Sequence, residues 1–155
     1  MAFSTRVRYG LRLLVRLAIQ DESRRHLSMN EIAQEESVSV KYLEQIVSLL
    51  KPLGILESVR GARGGYCLMC SPSDIHMDKV FEALGGLTAP APCIDDSASC
   101  CRIEVCTTRP FWVDLDSFRR QYLHGITLAD IVAASPNGGV EFRTELKLGK
   151  YGSCS

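Results

Sequence analysis

The sequence contains no apolar run long enough to form a membrane-spanning helix, which needs about 18 consecutive apolar residues. Its first residues also lack the basic start, the apolar centre and the cleavage site of a secretory signal. We therefore expect a cytoplasmic protein that has no membrane partner.

The sequence also lacks a net charge, because 18 basic residues balance 18 acidic ones. The charges are nevertheless divided unevenly. Residues 1–66 carry ten Lys and Arg against seven Asp and Glu, whereas the remaining residues carry eight against eleven. A basic first half and an acidic second half are typical of a part that contacts nucleic acid joined to a part with another role.

Recognisable catalytic motifs are absent as well. The chain has no serine–histidine–acid set and no paired-carboxylate motif. Its glycine-rich run at 61–65 matches neither the P-loop nor the Rossmann pattern. We therefore expect no enzymatic activity.

Three helices are predicted at the start of the chain. Apolar residues recur at helical spacing over about 4–20, and Ser28 with Glu31 forms a capping box for a helix over about 29–35. After a turn at 36–38, a third helix begins at Ser39 and runs to about Lys51. The last two helices predict a helix-turn-helix. Four polar residues share one face of its second helix: Lys41, Glu44, Gln45 and Ser48.

Four arginines of the first helix lie off its apolar stripe: Arg6, Arg8, Arg12 and Arg16. They form either a solvated helix face or contacts to DNA phosphate.

A β-hairpin is predicted directly after the helix-turn-helix. Residues 54–59 alternate like a strand, 60–65 form a glycine-rich turn that contains Arg60 and Arg63, and 66–69 return as a second strand. A hairpin in this position is the wing of a winged helix.

The second half of the chain is predicted to contain a fourth helix over 77–84, an irregular loop over 86–100 and a long helix from Pro110 to about His124. The long helix carries an apolar stripe of Phe111, Leu115, Phe118 and Tyr122, with Trp112 alongside. Such a stripe suits packing along another helix, either in a second copy or within the subunit. We expect a homodimer, because two-fold symmetry allows a helix-turn-helix protein to read a palindrome.

Together these elements predict a mainly α fold with a small β-wing, in which a winged helix-turn-helix is joined to a long C-terminal dimerisation helix. The predicted parts are a DNA-binding domain at 1–85 and a cysteine-rich loop at 86–109. A dimerisation helix with a short following helix occupies 110–133, and 134–155 form a flexible tail.

Seven cysteines are many for a chain of this size, and their odd number argues against a disulfide framework. Metal or redox chemistry is the leading interpretation. Cys93, Cys100 and Cys106 follow the spacing C-x6-C-x5-C, and Cys101 competes with Cys100 as the second ligand. Thiolates are the usual ligands of iron–sulfur clusters.

Four stretches of the chain resemble the Rrf2 family of bacterial winged-helix regulators, and within it the IscR type, which carries an iron–sulfur cluster. The stretches are Arg8-Tyr9-Gly10-Leu11, then Tyr42-Leu43-Glu44-Gln45, then Ser58-Val59-Arg60-Gly61 with Gly64-Gly65-Tyr66, and finally Trp112 through Ile126-Thr127-Leu128. They cover most of residues 4–132 in order.

The resemblance implies a homodimer that binds a double-stranded DNA operator. Lys41, Glu44 and Gln45 would face the major groove, and Arg60 would enter the minor groove from the wing, with Ser48 and Arg63 as further contacts. Gln can pair with adenine through two hydrogen bonds, and Arg suits a narrow minor groove. Glu44 is implied to influence the choice between operator classes.

The resemblance also implies an iron–sulfur cluster on Cys93, Cys100 and Cys106, of the 2Fe–2S rather than the 4Fe–4S type. The sequence departs from the family at the fourth ligand, because Arg109 and Arg8 stand where relatives have histidine or aspartate, and arginine does not normally ligate iron. Glu104, Cys101 or a residue of the other subunit could complete the site.

The predicted function is therefore a transcription regulator whose operator binding responds to iron–sulfur, iron, redox or nitric-oxide status. One alternative is a regulator of the same fold without a cluster, in which the cysteines bind zinc or are oxidised. A remote alternative is a small iron–sulfur electron carrier, which would leave the helix-turn-helix and the wing unexplained.

Overall fold

The computed structural model describes residues 4–21, 26–59, 61 and 64–134, and the predicted tail after residue 134 lies outside them. The helices, in chain order, are α1 (Thr5–Asp21), α2 (Met29–Glu36), α3 (Val40–Leu50), α4 (Met77–Ala83), α5 (Pro92–Asp95), α6 (Arg109–His124) and α7 (Leu128–Ala133). The strands are β1 (Leu56–Val59) and β2 (Gly65–Leu68). This mostly helical fold with a two-stranded antiparallel sheet confirms the predicted fold class.

The helix-turn-helix forms where the capping residues predict it. The Ser28 hydroxyl accepts a hydrogen bond from the Glu31 N–H, and the Glu31 carboxylate accepts one from the Ser28 N–H, so the capping box is complete. α2 ends at Glu36 because Ser37 adopts the left-handed conformation, with a φ of 54°. Ser39 then caps α3 by accepting a hydrogen bond from the Tyr42 N–H.

The wing is an antiparallel hairpin whose register pairs Leu56 with Leu68 and Val59 with Gly65. The segment before α2 extends this sheet, since Leu27 and Tyr66 exchange backbone hydrogen bonds of 2.8 and 3.1 Å. Gly65 permits this approach, because a Cβ atom there would lie 2.3 Å from the Leu27 carbonyl oxygen.

One hydrophobic core joins α1, α2, α3, α4 and the wing, and α7 returns to it. Leu128 of α7 is fully buried. Its N–H donates to the Ile75 carbonyl (2.8 Å), and the Met77 N–H donates to the Ile126 carbonyl (2.9 Å). The end of the predicted dimerisation part is therefore tied to the start of α4.

One expectation about the second half needs correction. The segment 86–100 is not wholly irregular, because Pro92 occupies the first turn of the short helix α5 and a 3₁₀ turn spans Ser97–Ser99.

The apolar stripe of α6 is exposed in part, because Tyr122 packs against the core. The residues of α6 that are buried in the described structure are Asp116 and Leu123, whereas Phe111 and Phe118 are exposed.

Within the described ranges, no helix has both the length and the apolar character that crossing a membrane requires.

Candidate nucleic-acid interface and cysteine segment

The polar face of α3 is exposed as the sequence predicts. Lys41, Glu44, Gln45 and Ser48 are all accessible to solvent, whereas the opposite face of α3 is buried in the core through Leu43, Ile46, Val47 and Leu50. The Ser48 hydroxyl donates a hydrogen bond to the Gln45 carbonyl (2.7 Å) within the same helix. α3 thus presents a row of hydrogen-bonding side chains on a helix that the core holds in place.

The wing places a second polar element beside this helix. Residues 57–59 of β1 are exposed. The two arginines predicted to contact DNA, Arg60 and Arg63, lie outside the described residues.

The α1 arginines divide into two groups. Arg6 and Arg8 are exposed and have no ion-pair partner within the described ranges. Arg12 and Arg16 instead form ion pairs with carboxylates at the end of α2. The side chains of Arg12 and Arg16 are nonetheless 53% and 39% exposed, as a solvated helix face requires, and the phosphate contact stays a prediction.

The three predicted cluster ligands lie in three different turns between α4 and α6. Cys93 is in α5, Cys100 follows the 3₁₀ turn Ser97–Ser99, and Cys106 follows a second 3₁₀ turn, Ile103–Val105. Each is half-buried and free of disulfide bonds, and Cys101 is exposed. Glu104 is exposed as well.

The fit of this segment to an iron–sulfur cluster is incomplete. Three thiols are a suitable donor set in kind. The described structure, however, brings no three histidine, cysteine or acidic side chains together in a metal-holding arrangement. Arg109, which stands at the fourth-ligand position implied by the resemblance, has a buried Nε–H that donates to no hydrogen-bond partner among the described residues. As folded here, the segment does not form a metal site.

Cys106 has the environment of a reactive thiol. Its Sγ lies 3.4 Å from the Thr108 hydroxyl. The hydroxyl and the backbone N–H of Thr108 lower the pKa of Cys106, and the Arg109 N–H and the charge of Arg102 act in the same direction. These contacts favour the thiolate, which is both the nucleophile and the metal-binding form of cysteine.

The Cys67 and Cys70 pair has a different environment. Cys67 lies in β2 opposite Glu57, and Cys70 follows the strand. Burial, followed by the charge of Asp74, raises the pKa of the Cys70 thiol.

α6 is anchored by a buried carboxylate. Asp116 is 6% exposed and binds two arginines of its own helix, Arg119 and Arg120, the latter through Nε at 2.7 Å. The same arginines donate to the carbonyls of Thr88 (2.8 Å) and Leu87 (3.4 Å). α6 thereby holds the stretch that leads from α4 into the cysteine segment.

Sequence reasoning missed two site residues, Glu36 and Asp116, which are the buried charged residues of the described structure. Helical periodicity contained a signal for Glu36, because it continues the buried stripe of Met29, Ile32 and Ala33 at steps of three and four. No comparable apolar stripe surrounds Asp116.

Comparison with known proteins gives one family for nearly the whole described chain. Residues 3–134 match the family model described as Rrf2, an iron-dependent transcriptional regulator. The chain is 37% identical over 132 residues to the protein rrf2 of Nitratidesulfovibrio vulgaris, which covers 85% of this chain and 87% of that protein.

Two solved structures are similar in both sequence and fold. The structure of CymR, the global cysteine regulator of B. subtilis, is 31% identical with a TM-score of 0.69, covering 86% of this chain and 97% of that one. The structure of T. potens IscR is 27% identical with a TM-score of 0.66, covering 91% of this chain and 93% of that one.

Proposed function

The chain belongs to the Rrf2 family of transcription regulators, and from this premise we propose that it binds double-stranded operator DNA as a homodimer through α3 and the wing. The observation that carries the proposal is the exposed polar face of α3, which is held by a buried opposite face and lies next to an antiparallel hairpin. An α-helix of this kind fits the major groove, and a wing can reach the adjacent minor groove. No catalytic step is part of the proposed function.

Each proposed contact follows from the chemistry of its side chain. Gln45 reads adenine through two hydrogen bonds, Lys41 binds guanine or phosphate, and Glu44 accepts from a cytosine amino group. Ser48 is a further contact on the same face. Arg60 and Arg63 are the proposed minor-groove contacts, because a guanidinium suits a narrow, electronegative groove.

The dimer is proposed from the exposed side of α6. Phe111 and Phe118 are seven residues apart and so share one face of α6, and they are 57% and 40% exposed. Large apolar side chains in a row are the composition of a helix–helix interface. A second copy packed along this face would place two α3 helices on successive turns of one side of the DNA.

The DNA-binding proposal is tested by selecting duplexes from a random-sequence library with the purified chain and measuring affinity for the enriched duplex. Gln45→Ala is expected to weaken that affinity roughly 10- to 100-fold, since one bidentate base contact is lost. Gln34→Ala, an exposed glutamine of α2, is the matched control and is expected to bind like the wild type. If the wild-type chain enriches no sequence from the library, the DNA-binding proposal is rejected.

The cysteine segment 93–106 is proposed as the regulatory part of the molecule. It lies between α4 and α6. α6 holds the stretch just before the segment, at Leu87 and Thr88, and begins shortly after its end. A change in this segment that favours one arrangement of α6 would alter the spacing of the two recognition helices. Operator affinity would then change to the extent that the two arrangements differ in stability.

Iron–sulfur ligation by Cys93, Cys100 and Cys106 is the first form of this proposal. The kind and number of donors support it, as does the similarity to a family described as iron-dependent. Cys101 and Glu104 are the additional donors that lie within the same segment. The cluster type would be 2Fe–2S, and assembling it would require the three turns to come together.

Direct thiol chemistry without a cluster is the second form. The dispersed, free cysteines and the buried Nε of Arg109 favour it. So does the likeness to the structure of CymR, the global cysteine regulator of B. subtilis. Oxidation or alkylation of a thiol in 93–106 would then be the event that changes α6.

Purification without oxygen, followed by an absorption spectrum and quantification of iron, sulfide and zinc, separates the two forms. Iron and sulfide in equal, near-stoichiometric amounts that are lost in Cys93→Ala would establish the cluster. A colourless, metal-free chain whose operator affinity changes on thiol oxidation would establish the second form. If the chain holds no cluster and its operator affinity does not change on thiol oxidation, the segment has no regulatory role.

A further inference from the structure

Glu36 is a buried carboxylate at the turn of the helix-turn-helix. Its side chain is 7% exposed, and it is the last residue of α2, directly before the left-handed Ser37. A buried carboxylate is costly unless charged partners compensate the loss of water. The partners of Glu36 therefore bear on the geometry of the turn that joins α2 to α3.

Those partners are two arginines from α1, one helical turn apart. The Nε of Arg12 contacts Glu36 Oε2, and the Nε of Arg16 donates to Glu36 Oε1 at 3.4 Å. Arg16 also reaches the neighbouring Glu35 through Nη2 at 3.1 Å. Two guanidinium groups thus face two carboxylates, which leaves this part of α1 without excess positive charge.

Arg12 is connected to the recognition helix as well. Its guanidinium lies over the Tyr9 ring, 5.6 Å from the centroid. Tyr9 in turn meets the Tyr42 ring edge to face, with 5.9 Å between centroids. Tyr42 lies in the first turn of α3, next to Lys41 in the chain, and packs against the core.

We infer that Arg12 and Arg16 are positioning residues for DNA recognition, which act through Glu36 and Tyr42 on the orientation of α3 instead of binding phosphate. The inference deepens the proposed function and rests on it. Because the ion pairs fix the end of α2 and the tyrosine contact fixes the start of α3, the angle between the helices depends on them. Base-specific affinity depends on that angle, whereas general attraction to the phosphate backbone does not.

The test uses the full-length chain, the duplex that it enriches from a random library, and a scrambled duplex of the same composition. Arg12→Gln is expected to weaken binding to the enriched duplex about tenfold, as expected for one displaced base contact. Its affinity for the scrambled duplex, and the slope of log affinity against log salt concentration, are expected to stay at wild-type values.

Adding Glu36→Gln to Arg12→Gln supplies a readout that a phosphate contact would not give. The single Arg12→Gln variant leaves a buried carboxylate short of one partner, and the second substitution removes that charge. The double variant is therefore expected to recover part of the lost discrimination between the two duplexes. Lys79→Gln, which removes one positive charge at an exposed position of α4, is the control and is expected to bind both duplexes like the wild type.

The inference is overturned if Arg12→Gln weakens binding to both duplexes and makes the salt slope shallower by about one, which is the mark of a lost phosphate contact. Full recovery by Arg12→Lys, which keeps the charge without the planar fork, would overturn it too. If the wild-type chain enriches no sequence, the proposed function fails and this inference fails with it. If the wild-type chain does enrich a sequence, the outcomes above overturn this inference alone, so the two failures are distinguishable.

Discussion

At the scale of single residues, neighbouring groups give the thiols of this chain different chemistry. Cys106 is beside the hydroxyl and N–H of Thr108 and near Arg102, and these groups stabilise its thiolate. Cys70 is partly buried and faces Asp74, which destabilises its thiolate. The two residues therefore have pKa values on opposite sides of an ordinary cysteine.

In the metal-free, reduced chain, Cys106 is expected to react with iodoacetamide faster than Cys70 at neutral pH, because only the thiolate is nucleophilic. The labelling rate should reach half its maximum at a lower pH for Cys106 than for an ordinary cysteine, and at a higher pH for Cys70. Peptide mass spectrometry after limited labelling measures both rates. Thr108→Val is expected to move the Cys106 midpoint upward, and a single shared midpoint would contradict the assignment.

At the scale of elements, the wing depends on the close contact of two backbones. Gly65 begins β2 where Leu27 joins the sheet, and a Cβ atom at residue 65 would come within 2.5 Å of the Leu27 carbonyl carbon. The obstacle is backbone, which cannot move aside as a flexible side chain can. This close approach of the two backbones requires glycine at residue 65. Replacing Gly65 should therefore affect the hairpin directly.

Gly65→Ala is expected to destabilise the fold by roughly 1–3 kcal/mol, as overpacking does, and to separate the Leu27 segment from the wing. Thermal unfolding and hydrogen exchange at the Leu27 and Tyr66 amides measure the effect. Gly125→Ala is the control, because a Cβ atom there would meet its neighbours at an ordinary 3.6 Å. Equal stability of the two variants would rule out the proposed close contact.

α6 is a second element whose position rests on one charged group. Burial acts to raise the pKa of Asp116, but hydrogen bonds from Arg120 and Arg119 outweigh it, and the pKa of Asp116 is lowered. A carboxyl with a lowered pKa in the folded state stabilises the fold fully above its unfolded pKa. That stability is lost as the pH falls through the folded value.

Asp116→Asn is expected to lower the free energy of unfolding at pH 7 by about 3 kcal/mol, since it leaves two arginines without their carboxylate. The wild type should lose this advantage as the pH falls below about 4, the ordinary range of an aspartate. Denaturant unfolding from pH 7 to pH 3 measures the difference between the two chains. Asp114→Asn, at an exposed position of α6, should show little change, and a difference independent of pH would refute the role of Asp116.

At the scale of the whole molecule, two surfaces remain available after the core is formed. One is the polar face of α3, which we propose as the DNA contact, and the other is the apolar side of α6 around Phe111 and Phe118. Asp116 and its arginines bind the opposite side of α6 to the chain, so the apolar side is free to face a second copy. The two functions are therefore assigned to different surfaces of one body.

Phe118→Glu is expected to weaken the dimer about 100-fold or more, because a two-fold interface would bury the unpaired carboxylate twice. Affinity for the enriched duplex should fall with it, since both half-sites must be bound at once. Analytical ultracentrifugation measures the dimer and fluorescence anisotropy the affinity. Met69→Glu, at an exposed apolar residue after the wing, is the control. A Phe118→Glu chain that remains dimeric would exclude this face as the interface.

Local patterns in the sequence determined most of the elements. The Ser28–Glu31 capping box, the start of the third helix at about Ser39 and the hairpin around the glycine-rich turn each depend on residues close together in the chain, and the structure confirms all three. The exposed row on α3 follows equally from helical periodicity. These features depend on interactions between near neighbours, which a sequence displays directly.

Only the tertiary structure decided which side of α6 packs inward, what Arg12 and Arg16 bind, and how the cysteines lie. Asp116 and Glu36 are buried because arginines compensate their charge, in the case of Glu36 from a helix some 20 residues away. The spacing of Cys93, Cys100 and Cys106 suggested a common site, yet each sits in a separate turn. Compensation of a buried charge and convergence of ligands are long-range properties, and spacing along the chain does not fix distances in space.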